Sequence, residues 1–284
     1  MTRPVKLCND CRVAVVQITS NHVLAENLQK LEQLIAEYDK SFDLLMLPEN
    51  FAHMPRNENE RTECAEIFGQ GEIQSFLSQL AKKNDCWIVA GSVPLHVSGT
   101  VNNKPDKRKI YQASLVYDNQ GKFIKRYDKI HLFDVTLPSG ELYQESQYIE
   151  FGDSKQNSIV ETPWGLLGLS ICYDVRFPEF YRAMPDDVFL VSVPAAFTYD
   201  SGKAHWDTLL KARAIENQVY IAASAQTGTH SNGRKTWGHS ALIDPWGQVA
   251  AQAEQNETII STNIDLAYIK QVREQFPCLQ HKRI

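Results

Sequence analysis

The sequence lacks any apolar run of the ~20 residues that a membrane-spanning helix needs; stretches such as Val188 to Phe197 stop well short of it. It also lacks an excess of basic charge. Lys and Arg number 29 against 34 Asp and Glu, a formal net charge of −5, which supplies no electrostatic footprint for nucleic acid or an anionic membrane. The start, Met1 to Lys6, has no apolar signal core, so a cytoplasmic protein is expected. Cysteine is sparse: Cys8, Cys11, Cys64, Cys86, Cys172 and Cys278 are scattered over 284 residues, a chain long enough to bury a core without staples, so a disulfide scaffold is excluded. Cys8 and Cys11 form a Cys-x-x-Cys pair, but no second pair follows at zinc-finger spacing, and an N-terminal tail without metal is expected there. No Pro- or Ser-rich linker and no internal repeat interrupts the chain, so residues 1–284 are expected to form one domain.

What is present is an α/β pattern. With 43% hydrophobic and 22% charged residues the composition is that of a folded protein. Arg12 to Ile18 reads as a β-branched buried strand, and Leu24, Leu28, Leu31, Leu34 and Ile35 recur at helical spacing, with Ser20 or Asn21 as the cap. Asp43 to Leu47 is a second strand that ends at Pro48. A helix on Ile73, Phe76, Leu77 and Leu80 leads to a strand at Cys86 to Gly91. Further strands are expected at Ala113 to Tyr117, Leu166 to Ile171, Val188 to Val193, Val219 to Ala225, Ser240 to Ile243 and Ile259 to Ile264. Helices are expected at Ala204 to Asn217 and Leu266 to Glu274, and Val97 to Arg108 reads as a loop. Nearly continuous apolar strands imply sheets covered on both faces, with helices outside and sheet against sheet inside.

Three segments carry candidate chemistry. Cys172 ends an apolar strand, and Pro178 with Glu179 suits the first turn of a helix just beyond, where partial positive charge would favour thiolate. Standing alone, such a cysteine is commonly inert core. Glu49, in Leu47-Pro48-Glu49-Asn50-Phe51, ends an earlier strand. The two residues meet if their strands are neighbours in a parallel sheet, because the C-terminal edge of such a sheet is where ligands bind. Lys129 sits in Tyr127-Asp128-Lys129-Ile130-His131-Leu132-Phe133-Asp134, a segment rich in ionisable and aromatic groups, where an ammonium can stabilise an oxyanion.

Taken in order, Leu-Pro-Glu-x-Phe, Tyr-x-Lys-x-His-Leu-Phe-Asp and Cys-Tyr-Asp-x-Arg-Phe-Pro-Glu resemble the nitrilase superfamily of carbon-nitrogen hydrolases, over nearly the whole chain. The resemblance extends to Ala204-His205-Trp206, to Leu209 through Asn217, and to Gly238-His239-Ser240 with Asp244-Pro245-Trp246-Gly247. It implies a four-layer αββα sandwich and a Glu-Lys-Cys triad of Glu49, Lys129 and Cys172, with Glu145 as a second glutamate that positions substrate and Lys129. Glu49 would take the thiol proton and pass it to leaving ammonia, Cys172 would carry a thioester, and Lys129 with the Tyr173 N–H would hold the oxyanion. No metal or cofactor is implied.

A Cys-His pair is the competing plan, since His131 shares a face with Lys129 if the segment is extended. Asp174 and Arg176 are expected to brace the turn by ion pairing, and His205 and His239 to be structural. Within the superfamily the Ala225-to-His230 stretch, followed by Arg234, resembles a branch that hydrolyses amides of 2-oxo acids. Deaminated glutathione is the expected substrate and 2-oxoglutaramate the alternative; nitrile hydrolysis and a non-catalytic interaction module rank below. The branch usually has Gly-Pro-Ala-His-Trp, whereas Gly202-Lys203-Ala204-His205-Trp206 lacks the proline, which is expected to loosen a loop from Phe197 to Lys203. Arg176 and Lys203 are candidates for the substrate carboxylate. The expected partners are a small-molecule amide and a second copy of the chain, as a homodimer through Phe177 to Met184 or a higher homo-oligomer.

Overall fold

The structure is a computed structural model that describes residues 10–101 and 104–283. In chain order it opens with β1 (Asp10–Gln17), α1 (Leu24–Glu37), β2 (Leu44–Leu47), α2 (Glu58–Glu63), α3 (Glu72–Lys83), β3 (Trp87–Ala90), β4 (Val93–Val101), β5 (Lys104–Tyr117) and β6 (Phe123–Asp128). A small ribbon of β7 (Asp134–Thr136) and β8 (Leu142–Gln144) follows, then β9 (Ile159–Thr162), β10 (Gly165–Leu169), α4 (Pro178–Arg182), β11 (Val188–Ser192), α5 (Tyr199–Asn217) and β12 (Tyr220–Ala223). A second ribbon, β13 (Thr227–Thr229) and β14 (Lys235–Trp237), precedes β15 (Ala241–Ile243), β16 (Val249–Gln252), β17 (Thr258–Asp265) and α6 (Leu266–Gln275).

These strands form two mixed sheets. In the first, β17, β1, β2, β3, β5 and β4 lie side by side and β6 adds to β5; in the second the order is β16, β15, β12, β11, β10, β9. The parallel centres, β1-β2-β3 and β10-β11-β12, are made by helical crossovers, and antiparallel strands close the flanks. The period of two in β1 explains the layering. Val13 and Val15 point into the core shared with the second sheet, where they join Leu169, Val191 and Ile221, whereas Ala14 and Val16 point the other way, to Leu28 and Leu31 of α1 and Leu77 of α3. On the far side Trp206, Leu210 and Ala214 of α5 cover the second sheet. The result is the expected αββα sandwich, with both sheets buried on both faces.

Four local expectations need correction. The α1 cap is Val23, not Ser20 or Asn21; Asn21 Oδ1 accepts the Val23 N–H at 2.7 Å and so ties down the turn before the helix. The expected loop over residues 97–108 is corrected in its described part: residues 97–101 lie in β4 and 104–108 in β5, which pair antiparallel with register shifts, because backbone pairing does not require apolar side chains. Cys11 lies buried in β1 and not in a tail, while Cys8 falls outside the described residues. α5 starts at Tyr199, five residues ahead of the expected start at Ala204, so Tyr199 to Lys203 are helical and not a loop. Its first turn is anchored by the Gly202 N–H on the Thr198 carbonyl at 2.8 Å, and at Gly202 an added Cβ would lie 2.3 Å from the Trp237 Cβ. Among the described residues no helix is long and apolar enough to cross a membrane.

Candidate active site

The site is built where β2 and β10 end. Contrary to the expectation of neighbouring strands, the two belong to different sheets; their C-terminal ends converge across the sandwich. Ser224 Oγ, just beyond β12, donates to the carbonyls of Val16 and Met46 and so links the two sheets at this edge. Beyond Leu47 the chain turns at Asn50, whose φ of 57° is left-handed. The turn is fastened on three sides: the Asn50 N–H donates to Ser92 Oγ (2.9 Å), Asn50 Oδ1 accepts from Gln112 Nε2 (2.9 Å), and the Glu49 carbonyl accepts from Gln226 Nε2 (3.0 Å). Gly91 comes so close that an added Cβ would lie 1.9 Å from the Pro48 carbonyl oxygen, so only glycine fits beside this turn.

Cys172 follows β10 and also sits in the left-handed region, at φ 46°, a conformation that costs a non-glycine residue roughly 1–2 kcal/mol. Its neighbours hold it there. The Cys172 N–H donates to the Pro194 carbonyl (2.8 Å), and Asp174 Oδ2 accepts the Ile171 N–H (2.8 Å). Cys172 opens a single 3-10 turn, Cys172–Arg176, and α4 begins only at Pro178. The Tyr173 N–H donates to none of the described residues.

Lys129 lies just past β6, its N–H on the Gln112 carbonyl and its carbonyl accepting the Gly152 N–H, both at 2.9 Å. Its side chain is 1% exposed, with Nζ 3.0 Å from Glu49 Oε1 and 2.8 Å from Glu145 Oε2. Glu145 Oε2 also accepts the Phe133 N–H (2.8 Å), and Glu49 Oε2 accepts the Ala196 N–H (2.9 Å). Glu49, Glu145 and Cys172 therefore line one pocket, together with Tyr173, Arg176, Phe197 and Arg234, and the buried Lys129 ammonium bridges its two carboxylates.

Burial and charge set the protonation states. Burial works against the Lys129 ammonium, but Glu145 and Glu49 outweigh it and hold its pKa well above the usual lysine value. Burial likewise pushes Glu145 up, and Lys129 with the Phe133 N–H brings it below the ordinary carboxylate value. Cys172 goes the other way: burial first, then the Glu49 charge, raise the thiol well above 9, and Lys129 offsets only part of this. The expectation of a resting thiolate is thus overturned. One 3-10 turn supplies too little dipole to offset desolvation beside a carboxylate.

The remaining candidates divide clearly. His131 does not face the pocket chemistry: Nδ1 lies 2.7 Å from Asp174 Oδ1, and its ring stacks on Phe177 with centroids 3.7 Å apart. Asp174 does not pair with Arg176 either, since its oxygens serve His131, Ile171 and the Tyr127 hydroxyl (2.8 Å). Arg176 reaches into the pocket instead, over the rings of Tyr173 and Phe197 at 5.8 and 5.2 Å, with both Nη atoms 3.3 Å from His205 Nδ1. Lys203 is exposed on the first turn of α5 and lines no part of the pocket. His239 stacks on Trp237, with centroids 4.2 Å apart.

Arg234 lines the pocket, and the sequence marks it only through resemblance to a family branch. It stands in the turn between β13 and β14, and an arginine in a short polar hairpin has no pattern that distinguishes it from a solvated charge. Its Nη2 donates to the Ala196 carbonyl and its guanidinium lies 5.2 Å from the Tyr143 ring centroid. The turn is anchored by buried His230, whose Nδ1 donates to the Ser20 carbonyl and whose Nε2 accepts from Thr236 Oγ1, both at 2.8 Å. Burial lowers the His230 pKa to about 4. Because the neutral form is favoured when folded, stability is fully present above the unfolded value of 6.5 and is lost as pH falls from there toward 4. Urea unfolding at pH 7 and pH 5 should therefore show a loss in the native chain that exceeds that of His230→Gln by ~1–2 kcal/mol; equal losses would refute the assignment.

The family model described as carbon-nitrogen hydrolase matches residues 12–274. A deaminated glutathione amidase of Synechocystis is 41% identical over 271 residues, covering 95% of this chain and 97% of its own. An omega-amidase of Xenopus tropicalis is 36% identical over 274 residues, covering 96% and 95%. A solved Saccharomyces cerevisiae structure, a member of branch 10 of the nitrilase superfamily, superimposes with a TM-score of 0.83 at 28% identity, over 100% of both chains.

Proposed function

Since the chain belongs to the carbon-nitrogen hydrolase family, we propose that it is a thiol amidase that cleaves the amide bond of a 2-oxo-acid amide, deaminated glutathione first, through a thioester on Cys172. The observation that carries this reading is the buried Lys129 ammonium held between Glu49 and Glu145, the two carboxylates that line one pocket with the Cys172 thiol. A thiol kept protonated needs a base at the moment of attack, and Glu49 is the carboxylate beside it.

In this reading Glu49 accepts the Cys172 proton as sulfur bonds to the amide carbon. The carbonyl π electrons move onto oxygen, where the Lys129 ammonium and the Tyr173 N–H stabilise the negative charge. Collapse of the tetrahedral intermediate expels the amine, which takes the proton from Glu49, and a thioester remains. Glu49 then deprotonates water, the hydroxide adds to the thioester carbon, and the thiolate leaves and regains its proton from Glu49. Glu145 holds the Lys129 ammonium in place. For 2-oxoglutaramate the leaving group is ammonia; for deaminated glutathione it is the amino group of a dipeptide.

Arg176 supports an acid-bearing acyl group. Among the described residues it has no carboxylate partner, and its guanidinium is steadied by two rings and His205, which leaves its charge for the carboxylate of the 2-oxo acid. The 36% identity to an omega-amidase keeps 2-oxoglutaramate as the second reading. Side-by-side kcat/KM values on the two amides test the ranking: a preference for deaminated glutathione is expected, and a preference for 2-oxoglutaramate would reverse it. The cytoplasm and a homodimer complete the proposal; the exposed side chains of Ile215, Trp246 and Phe276 support self-association.

A further inference from the structure

The two pocket arginines occupy different positions. Arg176 follows the Cys172 turn and lines only the inner pocket, whereas Arg234 lines that pocket and also both of the shallower grooves outside it, one along Tyr143 and Thr198 and the other along Pro55, Asn57 and Asn232. An acyl group stays bonded to sulfur until water arrives, so it belongs to the inner end. The amine must depart toward solvent, and its path leads past Arg234.

We propose that Arg234 is a specificity-determining residue: it binds the free carboxylate at the far end of the amine leaving group, so that the site favours amides whose nitrogen carries a short C-terminal peptide over primary amides. This deepens the amidase reading above and rests on it. The guanidinium has no carboxylate partner among the described residues. The acids near it are already engaged, Glu145 by Lys129 and Glu141 by the Tyr143 hydroxyl at 2.6 Å. Its Nη2 is fixed on the carbonyl of Ala196, the residue whose N–H binds Glu49, which ties the arginine to the wall of the site that holds the Glu49 carboxylate. Its Nε is buried with no hydrogen-bond partner, so the group is incompletely satisfied by the protein itself, a condition that an anionic ligand can relieve. The His230 anchor holds the turn in advance of binding, which lowers the entropy lost on capture of a flexible peptide. Ammonia, by contrast, carries nothing that reaches this arginine.

Three substrates decide the matter: deaminated glutathione, the same molecule with its C-terminal carboxylate converted to a carboxamide, and 2-oxoglutaramate. Arg234→Gln should lower the kcat/KM ratio of deaminated glutathione to 2-oxoglutaramate by about 10- to 100-fold, chiefly through KM, with partial recovery in Arg234→Lys. In the native chain the carboxamide should suffer a similar loss, and in Arg234→Gln capping the carboxylate should cost nothing further. An unmoved ratio, or a native chain that cleaves acid and carboxamide equally well, overturns the assignment of Arg234. If Arg234→Gln does not fold, the acid-carboxamide comparison in the native chain decides alone. Absence of turnover on all three amides by the native chain refutes instead the amidase reading on which the assignment rests.

Discussion

Cys172→Ala should abolish amide cleavage, with a fall in kcat on the order of 10⁴-fold or more, while leaving the folded state in place. The size follows from the chemistry: with no sulfur there is no thioester, and direct attack by water forfeits both the nucleophile and the division of one hard step into two easier ones. The structure explains why the fold should survive. The strained φ of 46° is imposed from outside, by the Pro194 carbonyl on the Cys172 N–H and by Asp174 on the Ile171 N–H, and neither bond involves sulfur. Alanine keeps the same Cβ, so the expected stability change is within ~1 kcal/mol. Intact-mass measurement during turnover provides the second readout: the native chain should gain the mass of the acyl group and the variant should not. Undiminished turnover by Cys172→Ala would sink the nucleophile assignment.

Lys129→Met should produce the largest combined effect, on activity and stability together. Removing an oxyanion donor costs ~10²–10³ in kcat. The same change leaves Glu49, 3% exposed, and Glu145 without the ammonium that lies 3.0 and 2.8 Å away, and breaking a buried pair from one side costs ~3–5 kcal/mol. The pH dependence distinguishes this cause from a packing defect. In the native chain Glu145 is held below the ordinary value of 4.5, so its contribution is present above that pH and is lost as pH falls through the folded value. Lys129 is raised above its ordinary 10.5, so its contribution is complete below that value and fades only at alkaline pH. Without the lysine the buried Glu145 carboxylate favours protonation, and relative to the native chain the variant should gain stability from pH 7 toward pH 5. Denaturant unfolding across that range, with Glu145→Gln added to Lys129→Met, checks the account: the double variant should regain part of the stability without regaining activity. A variant whose instability is independent of pH would contradict it.

Much of this site was legible in the order of residues, for physical reasons that act locally. A run such as Leu44 to Leu47 that stops at Pro48 must end a strand, and the residue after it must stand at a sheet edge. Lys129, one position past β6, is marked only by its place in the ordered motifs, since a lysine there taken alone reads as a solvated charge. Other features gave no local signal. The polar first turn of α5 carries no apolar period, so its helical state depends on contacts with Thr198 and Trp237 that are distant or backbone-made. Lys203 looked suited to a substrate carboxylate because it is basic and close to a motif, but helical geometry turns it to solvent. Arg234, in a five-residue turn, reaches the pocket only because His230 ties that turn to Ser20 more than 200 residues earlier.

By itself the sequence determined helices outside and sheet against sheet inside, because hydrophobic period acts over a few positions along the chain; the residues of the reaction were marked by the ordered motifs that resemble the nitrilase superfamily. Only the tertiary structure decided that Glu49 and Cys172 meet across two sheets instead of along one, that the thiol rests protonated, and that His131 serves Asp174. Those outcomes depend on which groups are buried together and at what distance. Desolvation and Coulomb forces are set by spatial neighbours, which at this site are brought from segments as far apart as Glu49 and Ala196.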